Sequence, residues 1–135
     1  FNKLEKKSQH FSPIENLRFF GNLYNLTNLD ERVDEILHLS GLWNRRYDKT
    51  NVLSRGMHQR LALGRSIIHK PKVLLLDEPE TGLDIGGLEM LQSLVFENPN
   101  MTVIASTHNN KNIETWADNS LTIHKGKIST TNLGK

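Results

Sequence analysis

The chain has 135 residues, of which 36% are hydrophobic and 24% are charged, and its 17 basic and 15 acidic residues give a net charge of +2. This size and composition indicate one globular domain, and the interspersed charges argue against a nucleic-acid-binding surface. The chain has no cysteine, which excludes disulfides and thiolate metal sites, and no apolar run of the roughly 18 residues that a membrane-spanning helix requires.

The first residues, 1–11, are polar and basic and are interpreted as a surface loop. The chain starts at Phe1 rather than at a methionine, and no charged segment followed by an apolar one forms a signal peptide. We therefore expect the natural start to lie further upstream.

Two helices are predicted next. Residues 12–15 form a helix start, because Ser12 can cap the helix, Pro13 fits its first position and Glu15 completes a capping box. Apolar residues then recur at helical spacing: Leu17, Phe20, Leu23, Tyr24 and Leu26. The second helix is predicted from Asn28 to Leu39, and Gly41, two residues later, is the residue that ends it. Its apolar stripe consists of Val33, Ile36, Leu37 and Leu39.

A third helix is predicted to open at Ser54-Arg55-Gly56-Met57 and to run to His69. A helix N-terminus is a ready site for an anion, and Gly56 lets the backbone approach one closely. His58 and His69 are interpreted as surface residues, because their spacing does not suit a shared metal ion.

A buried strand is predicted at residues 73–76, a run of four apolar residues between two prolines. It ends in Asp77 and Glu78, and unpaired buried charges are costly, so these carboxylates need a metal, a cation or water. In an open parallel sheet the ligand crevice lies at the carboxyl ends of the strands. Carboxylates for a metal and backbone amides for a phosphate together suggest nucleotide chemistry.

The remaining elements alternate between helix and strand, which predicts a parallel sheet. A helix at 88–96, with Leu88, Leu91, Leu94 and Val95 inward, leads to a second buried strand at 101–106. His108 follows that strand, at the same sheet edge as Asp77. A helix at 109–117 and two short strands at 120–124 and 127–130, joined at Gly126, close the chain.

Four motifs in this order resemble those of ABC ATPases. LSRGMHQR at 53–60 resembles the signature motif, and VLLLDEP at 73–79 resembles the Walker B strand. ETGLD at 80–84 resembles the D-loop, and STH at 106–108 resembles the H-switch. ENLRFF at 15–20 is most similar to the helical subdomain of haem exporters, and also to drug or polysaccharide exporters. Four ordered motifs are far more specific than any one of them.

The resemblance implies the α/β fold of P-loop ABC ATPases. A helical subdomain with the signature loop would occupy about 12–56 and an α/β core 57–135, together one partial domain. No G-x-x-x-x-G-K-[ST] motif occurs in the 135 residues, so we expect the Walker A loop to lie upstream. Gln9 could be the Q-loop glutamine, but it stands too close to the first helix, and an exposed loop residue is the favoured interpretation. Phe20 is expected in the core, whereas Phe19 could pack there or face a membrane partner.

On the hydrolytic side, the resemblance assigns Asp77 to Mg²⁺, held largely through water. Glu78 would polarise the water that attacks the γ-phosphate of ATP, and His108 would contact that phosphate and hold Glu78 and the water. An acidic pair that merely caps the next helix is the alternative for Asp77 and Glu78.

On the signature side, the resemblance assigns Ser54, Arg55, Gly56 and Met57 to the ATP held by a partner subunit. Arg55 and Met57 depart from the usual glycine and glutamine of the motif. Asp84 would cross the dimer interface as the D-loop aspartate, and it could also cap the following helix. Glu80 is unusual at its position and its charge is unexplained.

The implied function is ATP hydrolysis, with ATP and Mg²⁺ as cofactors, in a subunit that drives a membrane exporter. The implied partners are a second ATPase subunit and transmembrane permease subunits, with no nucleic acid, at the cytoplasmic face of the inner membrane. Haem export for cytochrome c biogenesis is the closest pattern, with drug or polysaccharide export as the alternative. A non-hydrolysing or regulatory module is a further alternative, because no P-loop is present. DNA-repair and translation-type ABC proteins are disfavoured, since no long coiled-coil insertion occurs.

Overall fold

The computed structural model describes residues 11–132, so the prediction for Gln9 lies outside the described residues. The helices are α1 Pro13–Leu23, α2 Leu29–Leu39, α3 Arg55–Ile67, α4 Ile85–Leu91 and α5 Asn110–Trp116. The strands are β1 Val73–Asp77, β2 Thr102–Ser106, β3 Asn119–His124 and β4 Lys127–Asn132. Single 3₁₀ turns lie at Trp43–Arg45 and Thr50–Val52, and a π-helical turn at Gln92–Phe96 extends α4.

Helix α1 begins as the sequence predicts. The Glu15 carboxylate accepts hydrogen bonds of 2.8 Å from the backbone N–H and the hydroxyl of Ser12. These hydrogen bonds lower the pKa of Glu15, because both favour the ionised carboxylate. The bond from the Ser12 backbone has the larger effect and the bond from the Ser12 hydroxyl the smaller one. The first turn of α1 is therefore closed by its own sequence.

The core lies mainly between α1, α2 and α3. Its buried apolar residues are Ile14, Leu17, Val33, Ile36, Leu37, Leu42, Leu53, Leu61, Leu63, Ile67, Ile68, Leu74, Met90, Leu91 and Val95. Phe20 is only partly buried at the margin of this core, and Phe19 is partly buried with its ring edge-to-face against Phe20 at a centroid separation of 5.5 Å.

The inward face of α1 differs from the predicted one. Ile14, Leu17 and Gly21 are buried, whereas Leu23 and Tyr24 are exposed. A helix turns 3.6 residues per turn, so a face through Ile14, Leu17 and Gly21 directs Leu23 outward. In α2 the predicted Leu39 is likewise exposed.

His69 does not lie freely on the surface as predicted. It is partly buried, and its ring stacks on Tyr24 with a centroid separation of 3.8 Å and an interplanar angle of 9°. Desolvation lowers the pKa of His69 below its ordinary value of 6.5. Tyr24 thus packs against His69 and not against the apolar core.

Strands β1 and β2 pair in parallel, in register from Val73 with Thr102 to Asp77 with Ser106, which confirms the predicted parallel pairing. The prediction that both strands are buried is wrong. Val73, Leu75 and Ile104 are 57%, 70% and 61% exposed, whereas Leu74 is buried. Because alternate side chains of a strand point to opposite faces, only one face of this sheet is covered by the helices.

The last elements complete the fold. Strands β3 and β4 form an antiparallel hairpin that turns at Lys125 and Gly126, both with positive φ. Helix α4 starts at Ile85, earlier than predicted. Its buried face consists of Gly87, Met90 and Leu91, at helical spacing, and Leu88, which was predicted inward, is exposed. Among residues 11–132, none of the helices is both long and apolar enough to cross a membrane.

Candidate functional site

The carboxyl ends of β1 and β2 meet at Asp77 and Ser106. The hydroxyl of Ser106 donates a hydrogen bond to the Asp77 carboxylate. The backbone N–H of Glu78 donates to the Ser106 carbonyl at 3.0 Å and lies 3.3 Å from its hydroxyl. Ser106 therefore fixes both acidic residues. Sequence reasoning gave it no separate role, although a hydroxyl at the end of the strand was a usable signal.

The backbone of Glu78 lies in the left-handed region, with φ at 44°. This conformation is uncommon for a residue with a side chain and costs on the order of 1 kcal/mol. The turn that follows is closed by a 2.9 Å hydrogen bond from the Thr81 N–H to the Glu78 carbonyl. Such strain concentrates at functional positions in proteins.

His108 and Glu78 are in direct contact. The Nε2 atom of His108 lies 2.8 Å from Oε1 of Glu78, and the two side chains are 91% and 42% exposed. A pair this exposed contributes little to folding stability. The contact places an imidazole and a carboxylate together at an accessible sheet edge, as the sequence predicted.

Glu80 binds the loop that carries His108. Its Oε1 atom accepts a hydrogen bond from the Thr107 hydroxyl and another, at 3.1 Å, from the Asn112 side chain amide. Its Oε2 atom is buried without a hydrogen-bond partner among the described residues. The sequence left this glutamate unexplained, and the structure gives it an attachment point.

The signature segment forms the N-terminus of α3. The Ser54 hydroxyl accepts a hydrogen bond from the Met57 N–H at 3.2 Å and so caps the helix. Ser54 is exposed, whereas Met57 packs partly against the core. A Cβ atom at Gly56 would lie 2.6 Å from Oδ2 of Asp84. Gly56 is therefore required by its own D-loop, besides any approach of a phosphate.

Asp84 connects three segments. Its Oδ1 atom accepts the Gly87 N–H at 2.9 Å, which caps α4 as the sequence allowed. Its Oδ2 atom lies 3.3 Å from the Arg60 guanidinium, which also donates 2.8 Å to the Ser40 carbonyl. Arg60 ends the LSRGMHQR segment, and no local signal in the sequence identified these partners.

Arg55 lies across the D-loop turn. Gly82 has φ of 80°, and a Cβ atom there would lie 3.0 Å from Nε of Arg55. The guanidinium thus packs over the Gly82 backbone instead of extending away from the molecule. Its positive charge stays beside the signature segment.

Two groups of side chains result. We call Asp77, Glu78 and His108 the carboxylate cluster, and Ser54, Gly56 and Asp84 the signature cluster. The carboxylate cluster brings together two carboxylates and an imidazole, and the signature cluster combines the N-terminus of a helix with an exposed hydroxyl, a combination that suits an anion. Residues 79–84 join the two clusters.

The carboxylate cluster fits Mg²⁺. Among residues 11–132, no group of three or more His, Cys, Asp and Glu side chains is arranged to hold a metal alone. Mg²⁺ is usually bound by one or two carboxylates together with substrate phosphates and water. Asp77 is exposed at the tip of β1, so its single carboxylate suits a site of this kind.

Comparisons with known proteins agree with these features. The sequence profile of the ABC transporter family matches residues 2–81. YdbJ of Bacillus subtilis (strain 168), described as an uncharacterized ABC transporter ATP-binding protein, is 38% identical over 117 residues, or 84% of this chain and 38% of that protein. The bacitracin transport ATP-binding protein BcrA of Bacillus licheniformis is 35% identical over 71% of this chain and 32% of its own length. The chain spans 33–48% of the length of the first curated relatives that it matches.

Solved structures show the same fold. The structure of an ATP-binding subunit of an ABC transporter superimposes with a TM-score of 0.80 at 23% identity, covering 93% of this chain and 54% of that one. The predicted fold class, that of ABC-type P-loop ATPases, is thereby confirmed. Because the family profile matches residues 2–81, more than half of the chain, the chain belongs to the ABC transporter family.

Proposed function

We propose that this protein hydrolyses ATP to drive a membrane exporter, with the carboxylate cluster as its hydrolytic half-site. The observation that carries the proposal is the 2.8 Å contact between His108 Nε2 and Glu78 Oε1 at the carboxyl ends of two parallel strands. This is the sheet edge at which ligands bind in open α/β folds. Membership of a family that binds ATP supports the choice of substrate.

Each side chain of the carboxylate cluster has one task. Glu78 orients the attacking water and accepts its proton, and His108 holds the Glu78 carboxylate in position through Nε2. Asp77, oriented by Ser106, would hold Mg²⁺, which neutralises negative charge on the phosphate oxygens when bound. Catalysis of this type depends on placement and electrostatics, so the strained backbone of Glu78 is consistent with it.

The signature cluster serves a different nucleotide in this proposal. Ser54 is exposed at the N-terminus of α3, where its hydroxyl and the first backbone amides of the helix would bind the γ-phosphate of ATP held by a second ATPase subunit. Arg55 and Met57 belong to this surface, and Asp84 would meet the partner at the interface. Transmembrane permease subunits would complete the assembly, with this subunit peripheral at the cytoplasmic face of the inner membrane.

The names of the relatives favour drug export over haem export as the function of the transporter. BcrA, a relative described above, is named for bacitracin transport, and neither relative carries a name related to haem. Export of haem for cytochrome c biogenesis, the closest pattern in the sequence, gains no support from them. The alternative of a non-hydrolysing module is separated from the proposal by measuring turnover.

The test is the Glu78→Gln variant of the full-length protein. We expect ATP turnover to be abolished while ATP-dependent dimerisation persists, because glutamine keeps the shape but cannot accept the proton. Glu114→Gln, an exposed glutamate of α5, serves as the matched control and should turn over like the wild type. Wild-type turnover by Glu78→Gln would remove Glu78 as the base.

A further inference from the structure

We propose that Glu80 is a positioning residue that holds the His108 loop, residues 107–109, against the turn that carries Glu78. The inference rests on the proposed function, since it concerns how His108 is presented to Glu78. It assigns a role to a carboxylate that is not itself part of the carboxylate cluster.

The first support is a chain of hydrogen bonds on both sides of His108. The Thr107 hydroxyl donates to Oε1 of Glu80 and accepts the backbone N–H of Asn109 at 3.0 Å. The residues before and after His108 are thus tied to one carboxylate. The imidazole itself remains almost fully exposed and free to meet a ligand.

The second support comes from α5. The Asn112 side chain donates to the same Glu80 oxygen at 3.1 Å, and Asn109 caps this helix by accepting the Lys111 N–H at 3.0 Å. Glu80 therefore fixes both the loop and the start of the helix that follows it. Rotation of the loop would break contacts in both places.

The third support is the position of Glu80 relative to Glu78. The two carboxylates flank Pro79 on one turn, which is closed by the hydrogen bonds from Thr81 N–H to the Glu78 carbonyl and from Leu83 N–H to the Glu80 carbonyl. Both acidic residues contact the His108 loop. Glu78 contacts the side chain of His108, and Glu80 contacts the hydroxyl of Thr107, the residue before it. The Glu78 contact is open to solvent, which weakens an ion pair, whereas the Glu80 bonds are partly buried. Glu80 is thus the firmer attachment.

The chemistry of the site decides which substitutions test the inference. A carboxylate accepts hydrogen bonds from Thr107 and Asn112 at one oxygen, while the other oxygen is buried without a partner among the described residues. A glutamine with its carbonyl oxygen at the Oε1 position could still accept both hydrogen bonds, so only a side chain without an acceptor removes the attachment. The experiment therefore uses Glu80→Ala, Thr107→Val and the conservative Thr107→Ser.

The experiment measures ATP turnover and backbone hydrogen exchange of residues 107–112 in the full-length protein. Glu80→Ala and Thr107→Val should lower kcat about tenfold or more with little change in KM, because small displacements of catalytic groups have effects of this size. Exchange of residues 107–112 should be faster in both. Thr107→Ser, which keeps the hydroxyl, should restore kcat and slow exchange.

Glu97→Ala is the matched control, because it removes a carboxylate that accepts a 2.8 Å bond from Gln92 outside the His108 loop. Wild-type kcat in Glu80→Ala, or unchanged exchange of residues 107–112, would overturn the inference. Failure of the proposed function has a different signature, namely wild-type turnover in His108→Ala and Glu78→Gln. In that case the exchange comparison alone decides whether Glu80 anchors the loop.

Discussion

The carboxylate of Asp84 lies 3.3 Å from the guanidinium of Arg60, and the same guanidinium donates to the Ser40 carbonyl just after α2. Carbonyls at helix C-termini have no partner within the helix, so Arg60 satisfies one of them. The D-loop is therefore connected through one side chain to the helical part of the molecule.

Replacing Arg60 by methionine is expected to lower the free energy of unfolding by about 1–2 kcal/mol, because a charged hydrogen bond is lost at a side chain only 14% exposed. Urea denaturation of the protein measures the change. Arg18→Met is the control, since Arg18 pairs with Asp30 on the open surface and should cost less than about 1 kcal/mol. Equal losses in the two variants would contradict the structural role of Arg60.

Gly82→Ala is expected to destabilise the protein by about 1–2 kcal/mol. Gly82 has φ of 80°, which disfavours any side chain, and the added methyl group would contact Arg55. Gly86→Ala is the matched control, because Gly86 lies in α4 without a positive φ and an added Cβ atom would make only ordinary van der Waals contacts, at 3.8 Å or more, while alanine favours the helix. Thermal unfolding of the pair tests this, and a stable Gly82→Ala variant would argue against the observed turn.

Glu78→Gly is expected to be about 1 kcal/mol more stable than Glu78→Ala. Both variants lose the carboxylate, but only glycine adopts φ of 44° without strain. Chemical denaturation of the two variants isolates the backbone contribution. If the Glu78→Ala and Glu78→Gly variants were equally stable, the backbone of Glu78 would not be strained, and its conformation would no longer support a functional role.

The environment of His69 predicts that the free energy of unfolding decreases as the solution is acidified. Its pKa in the folded state is lowered from 6.5, and its Nδ1 atom is buried without a partner among the described residues. The unfolded chain therefore binds a proton first, so the stabilisation is complete above the unfolded pKa and is lost as pH falls toward the folded one.

The His69→Phe variant tests that prediction, because phenylalanine can keep the stack on Tyr24 but cannot bind a proton. Unfolding free energies at about pH 7.5 and about pH 5.5 should differ less in the variant than in the wild type. An identical pH dependence would show that His69 is not the group responsible.

Local signals in the sequence were sufficient for several features. Ser12 and Glu15 close the start of α1 as predicted, and the strand that ends at Asp77 pairs in parallel with the one that ends at Ser106. These outcomes depend on neighbours in sequence or on strand order. The contact of His108 with Glu78 followed from the same rule, because both residues follow adjacent parallel strands.

Other features could not be predicted, because they depend on residues that are remote in sequence. Glu80 binds Thr107 and Asn112, which are 27 and 32 residues away in sequence, and Arg60 reaches Ser40 and Asp84 in two separate segments. The exposure of Leu75 depends on what covers the sheet, which an apolar run alone does not reveal.

The two-stranded sheet of β1 and β2 also affects how this polypeptide behaves in solution. In the part of the chain that the structure describes, no third strand pairs with either one, so backbone donors and acceptors line both outer edges. Beside those edges, Val73, Leu75 and Ile104 form an apolar strip in water. Open edges next to apolar side chains are templates for intermolecular strand pairing. Concentrated solutions of these 135 residues alone would therefore favour self-association through β-structure, which a covering surface would suppress.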